Sequence, residues 1–113
     1  MSEGRRRFGR FACQLPVDLV VGGDTQSTHT INLSLGGMLV GTDLEAPFGA
    51  EVEFRLHVPK PAHVVQARGT VMWASGEGKP ALGVAFDALR PLDVWALLRY
   101  FSEVGEAAEA PVL

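Results

Sequence analysis

The octet EVEFRLHV, residues 51–58, alternates without a break. Val52, Phe54, Leu56 and Val58 fall on one side of an extended chain. Glu51, Glu53, Arg55 and His57 fall on the other. A period of two is that of a strand with one buried face and one wet face. A row of four apolar side chains needs other strands to cover it, so the rest of the chain must build a sheet around it.

The segments for such a sheet are present. In LPVDLVV, Val17, Leu19 and Val21 alternate, and GGD at Gly22–Asp24 is a turn signal. STHTINLS reads as a second strand, LGG as a tight bend, and MLVGT as a short third strand. EAPFGA is a longer connection to EVEFRLHV, which PKPA ends. HVVQARGTVMWAS is a long fifth strand, with a bend expected at Gly69 because glycine inside a strand often marks one. GEGKP is its turn and ALGVAF the sixth strand.

From Pro91 the period changes. Val94, Leu97, Leu98, Phe101 and Val104 recur at helical spacing. Pro91 suits a first turn, Asp93 is favourable near the helix N-terminus, and Gly105 can end the helix. Val94, Leu97, Leu98 and Phe101 are expected to pack on the sheet, leaving Asp93, Arg99 and Glu103 exposed. The tail EAAEAPVL is small and acidic, and frayed ends are common.

Six strands joined by short turns predict an antiparallel meander. Closing it into a small barrel removes its edges. The predicted class is all-β with one C-terminal helix: an arm over residues 1–10, a six-stranded antiparallel β-barrel over 11–90, the helix over 91–105 and a tail over 106–113. At 113 residues the chain holds one core, and no internal repeat or linker marks a second domain. With 47% apolar residues it is expected to fold.

No apolar run approaches the roughly 20 residues that span a bilayer. Gln14, Pro16 and Asp18 interrupt the stretch after the basic start, which argues against a secretory signal. Cys13 is the only cysteine, so no internal disulfide can form. A cytoplasmic domain without membrane insertion is the simplest expectation.

Catalysis finds little support. His57 and His63 flank a proline-containing turn and lack the spacing of a zinc motif, so no metal site is predicted. Glu51 and Glu53 fit a solvated sheet face better than a carboxylate pair. Cys13 reads as a small, half-buried residue at a strand start rather than a reactive thiol. No phosphate-binding loop ending in Lys and Ser or Thr is present. The chain is therefore expected not to be an enzyme and to need no cofactor.

Charge is placed unevenly. Four of ten basic residues lie in RRRFGR, Arg5 to Arg10, although the net charge is −3. Without residues 1–10 the chain keeps six basic and twelve acidic side chains, a net −6. Such a body argues against a broad nucleic-acid surface. A small nucleic-acid-binding barrel would also need more basic and aromatic surface. Arginine offers a planar fork of donors to phosphate and to the O6 and N7 edge of guanine, and stacks on flat rings. By itself such a run is more often a flexible, solvated arm than a binding site. NLSLGG, Asn32 to Gly37, is by itself a hairpin: Asn and Ser side chains cap turns, and Gly37 can supply positive φ.

Taken together, the two stretches resemble the PilZ family of bacterial cyclic di-GMP receptors. That family carries RxxxR just before its first strand and D/N-x-S-x-x-G at the second and third strands. Arg6-Arg7-Phe8-Gly9-Arg10 matches the first motif and Asn32-Leu33-Ser34-Leu35-Gly36-Gly37 the second. LGVAF, Leu82 to Phe86, resembles a later strand of the family. The resemblance implies a ligand site on the outer surface of the barrel. Arg6 and Arg10 would take guanine edges and phosphates, and Asn32 and Ser34 would supply short hydrogen-bonding groups. Gly36 belongs to the same site, and Gly37 would let the backbone approach the ligand. In this family an arginine just before RxxxR goes with an intercalated pair of cyclic di-GMP molecules, and Arg5 stands there. The implied function is a receptor that passes the second-messenger signal to a partner protein in motility or biofilm regulation. The alternative is an adaptor of motility or pilus machinery that does not bind the nucleotide, although such adaptors generally lack both motifs.

Overall fold

The computed structural model describes residues 10–75 and 78–104. Seven strands precede one helix: β1 Phe11–Ala12, β2 Pro16–Val21, β3 Asp24–Leu33, β4 Gly37–Gly41, β5 Glu51–Val58, β6 His63–Ser75, β7 Ala81–Phe86 and α1 Pro91–Val104. Six of them close a ring of antiparallel pairs, β3-β2-β5-β6-β7-β4 and back to β3. The extra strand, β1, adds Phe11 opposite Leu33 and Ala12 opposite Asn32.

The ring is not the continuous meander that short turns predict. β2–β3–β4 and β5–β6–β7 are each a meander, but β4 pairs with β7 and β5 with β2. The connection over residues 42–50 is long enough to cross between the two halves. It is tied to β6 by backbone bonds, Gly49 N–H to the Val71 carbonyl at 2.8 Å and Val71 N–H to that of Ala50 at 2.9 Å.

The alternating octet is the wall it promised to be. Val52, Phe54, Leu56 and Val58 are all buried. Leu56 stands opposite Val17 on β2 and Val65 on β6, and Phe54 opposite Leu19 and Ala67. Leu33, Val40, Val71, Leu82 and Val84 complete the interior. Glu51, Glu53 and Arg55 face water.

The irregularity in β6 does not fall at Gly69. The register shifts between Val71 and Trp73, past Met72. Gly69 has a packing role instead: a Cβ there would lie 2.5 Å from Val84 Cγ1 and 2.7 Å from the Ala85 carbonyl oxygen.

Helix α1 docks through Ala96, Leu97, Tyr100 and Phe101, with Val94 half-buried. Two expectations about its faces are corrected. Leu98 is 50% exposed, alongside Leu92 and Trp95, while Asp93 is fully buried. Asp93 turns inward because it is bonded there. Its carboxylate accepts from His63 Nε2 at 2.8 Å and from the Arg90 backbone N–H at 3.1 Å, a capping-box contact, as well as from the Arg90 guanidinium. Burial alone would push its carboxyl up, but these bonds outweigh burial and hold it below the usual value. No helix among the described residues is long and apolar enough to cross a membrane.

Candidate functional site

The end of β3 and the start of β4 form a tight hairpin whose lock is Ser34. Its backbone N–H donates to the Gly37 carbonyl at 2.9 Å. Its Oγ accepts from the backbone N–H groups of Gly36 at 3.1 Å and Gly37 at 3.2 Å. This serine side chain holds two backbone donors that a two-residue turn would otherwise leave free. Ser34 is buried, so its first task is to fix the loop.

Asn32, two residues earlier and also buried, points its Oδ1 at the N-terminal segment. Arg10 Nη1 donates to it at 2.8 Å. A guanidinium can only donate, so the amide oxygen must face it. The last arginine of one motif and the first residue of the other are thereby joined across 22 positions of sequence.

Gly37 needs a different explanation from the expected one. It does not take a positive φ, which among the described glycines belongs to Gly22, Gly23, Gly49 and Gly78. A Cβ on Gly37 would collide with the Val84 carbonyl oxygen and lie 3.2 Å from Ala85 Cα. The residue is glycine because β7 passes directly over it. Gly36 is held to the same strand, its carbonyl accepting from Phe86 N–H at 2.9 Å.

Arg10, Gly36, Gly37, Met72, Trp73 and Gly83 border a depression of about 160 Å³ on the outside of the barrel. That is below the roughly 300–1,000 Å³ of sites that enclose a small molecule. The surface is therefore an open platform, which a larger ligand would overhang. Its aromatic member is Trp73, which the sequence reading missed. Strict alternation places Trp73 on the interior side with Val71. The register shift past Met72 turns it outward, where it is 43% exposed. The indole lies flat against Gly83, where a Cβ would stand 2.6 Å from Trp73 Nε1 and 2.9 Å from Cδ1. A wide aromatic side chain opposite a glycine in the LGVAF strand is the signal that could have found it.

The structure thus brings Arg10, Asn32, Ser34, Gly36 and Gly37 to one end of the β3–β4 hairpin. Arg5 and Arg6 lie outside the described residues. The other titratable groups lie elsewhere. His57 contacts Asp18 at 3.2 Å on the wet face of the sheet, and His63 is engaged with Asp93. Among the described residues no three His, Cys, Asp or Glu side chains are grouped to hold a metal. Burial pushes the Cys13 thiol up, against hydrogen bonds from Thr30 and Tyr100, so it is a poor nucleophile.

A family model, the PilZ domain, matches residues 4–103. No curated protein sequence matches the chain. Among solved structures, the Bacillus subtilis inhibitor of motility MotI/DgrA superposes with a TM-score of 0.78 at 20% identity, over 88% of this chain and 51% of that one. Escherichia coli YcgR in complex with cyclic di-GMP gives 0.75 at 20% identity, over 88% and 46%. The PilZ domain of Escherichia coli YcgR with cyclic di-GMP gives 0.71 at 21% identity, over 91% and 94%. The chain spans about half the length of MotI and YcgR. At these identities the likeness is one of fold.

Proposed function

The chain belongs to the PilZ domain family, and from that premise we propose that it is a cyclic di-GMP receptor module, not an enzyme, that relays the signal to a partner protein. The observation that carries this reading is the 2.8 Å bond from Arg10 to Asn32, because it brings the two separate motifs into contact. The structures of YcgR bound to cyclic di-GMP support it on the same fold.

Each part of the platform has work suited to that ligand. Cyclic di-GMP carries two phosphates and two guanines. Arg10, oriented by Asn32, presents guanidinium donors to a phosphate or a guanine edge. Trp73 offers an indole face on which a purine can stack. The Ser34 turn fixes Gly36 and Gly37 beside them. Arg6 supplies the second cation of the RxxxR motif, and Arg5 the extra charge that a second, intercalated ligand requires. Four phosphates brought together repel one another unless cations lie close. The messenger is intracellular, so the module acts in the cytoplasm.

Calorimetric titration of the chain with cyclic di-GMP, and with GTP and cyclic AMP as controls, tests this reading. Saturable binding of cyclic di-GMP alone is expected. Absence of heat with cyclic di-GMP, or equal binding of GTP, contradicts it.

A further inference from the structure

Arg10 and Phe11 are neighbours, yet they engage different parts of the molecule. Arg10 reaches Asn32 on the ligand platform. Phe11 stacks on Phe101 of α1, with ring centroids 4.5 Å apart and planes within 16°. Two residues on, the Cys13 thiol touches the Thr30 hydroxyl of β3 and neighbours Tyr100 of α1. The segment is therefore clamped between the ligand loop and the C-terminal half of α1.

β1 is two residues long, pairing Phe11 with Leu33 and Ala12 with Asn32, and the chain after it stays bonded to β3 through Cys13 N–H to the Ile31 carbonyl at 3.3 Å and Thr30 N–H to the Leu15 carbonyl at 3.0 Å. At the start of β1, next to Arg10, the side-chain anchor is the Phe11–Phe101 stack. In an extended segment successive side chains point to opposite sides. Fixing the Phe11 ring in the helix contact therefore fixes which way Arg10 points. On the other side of the loop, Leu35 and Gly36 border a groove shared with Phe86, Leu89 and Val94, so α1 faces the ligand loop a second time.

We propose that Phe101 is a positioning residue for the ligand site: by stacking on Phe11 it sets the place of Arg10, and ligand held by Arg10 in turn secures α1. The proposal rests on the cyclic di-GMP reading above. Reciprocity is a thermodynamic requirement: if the docked helix favours binding, binding favours the docked helix by the same factor. The messenger would then be sensed not only at the platform but also in how firmly α1 is held.

Two measurements test this. In a double-mutant cycle, Phe101→Ala should weaken cyclic di-GMP binding by about 3- to 10-fold, in keeping with the loss of an aromatic pair. In an Arg10→Ala background the same change should cost less than about 2-fold, because the effect acts through Arg10. Wild-type affinity in Phe101→Ala, or an equal loss in both backgrounds, overturns the proposal. Should Phe101→Ala fail to fold, amide exchange on the wild type decides. Saturating cyclic di-GMP should slow exchange at Tyr100 to Val104, and unchanged exchange overturns the coupling. Saturation is established by calorimetry in the same sample. A failure of coupling is thus distinct from a failure of the wild type to bind at all, which would instead refute the receptor reading.

Discussion

Arg10 and Asn32 meet at 2.8 Å, guanidinium to amide oxygen, at the end of β3. Asn32 is buried and Arg10 half-buried, so the pair forms a step between the core and the platform. Among the described residues this contact uses one nitrogen of the five-donor guanidinium fork. The sites of action proposed above extend from this step, toward Trp73 along the sheet and toward Phe101 through the helix.

Trp73 is expected to carry a measurable share of ligand affinity. Stacking of a base on an aromatic side chain is worth roughly 1–3 kcal/mol, so Trp73→Ala should weaken binding about 5- to 100-fold, while Trp73→Phe should lose much less. Its fluorescence should respond to cyclic di-GMP when Trp95, the other tryptophan, is replaced by Phe. Equal affinities for wild type and Trp73→Ala would remove the indole from the site.

Leu97 and Leu98 are adjacent but stand on opposite sides of α1's boundary with the barrel. Leu97 is fully buried and Leu98 half-exposed. Leu97→Asp should destabilise by several kcal/mol, on the order of 3–5, through an unpaired buried charge. Leu98→Asp should stay within about 0.5 kcal/mol of wild type, as surface changes do. Urea denaturation of both variants checks the phase of the helix. Equal losses would mean that α1 is rotated from the position described.

Asp93 gives a pH signature. Its folded pKa lies below the ordinary 3.8, so its contribution to stability is complete above that value and is lost as pH falls through the lower, folded value. Asp93→Asn should cost roughly 1.5–3 kcal/mol at neutral pH, the range for hydrogen bonds to a charged group. The wild type and the variant should converge in strong acid. Denaturant midpoints taken from pH 7 down to pH values below 3.8 measure this directly. A gap that stays constant with pH would show that the carboxylate charge does not matter.

Stoichiometry tests Arg5. Two cyclic di-GMP molecules per chain are expected at saturation, and one in Arg5→Leu with a modest loss of affinity. Titration at a known concentration of active protein reads the plateau. A wild-type plateau at one ligand per chain refutes the paired-ligand model and leaves the single site in place.

Much of this architecture was legible in the sequence, for physical reasons that can be named. EVEFRLHV, HVVQARGTVMWAS and ALGVAF coincide with β5, β6 and β7 because each is closed by proline, glycine or polar turn residues. β1 was not legible, because two residues carry no period. The pairing of β4 with β7 was hidden too, since a crossing connection and a hairpin look alike until the partner strand is known. Leu98 and Asp93 were assigned to the wrong faces because helical spacing gives a stripe but not which edge of it touches the barrel. A bonded carboxylate such as Asp93 also defeats the rule that acids face water. Trp73 was missed because a single register shift reverses the side on which every later residue of the strand falls. The two motifs meet in the fold at Arg10, Asn32, Ser34, Gly36 and Gly37, and close packing against Val84 gives Gly37 a reason to be glycine that the motif did not reveal.

The central claim is that both motifs form one cyclic di-GMP site. Calorimetric titration of the wild type beside an Arg6→Ala, Arg10→Ala double variant tests it most directly. Each charge-assisted hydrogen bond contributes roughly 1.5–3 kcal/mol, so the wild type should bind and the double variant should lose at least about 100-fold in affinity. Wild-type affinity in the double variant, or no binding by the wild type, would contradict the claim.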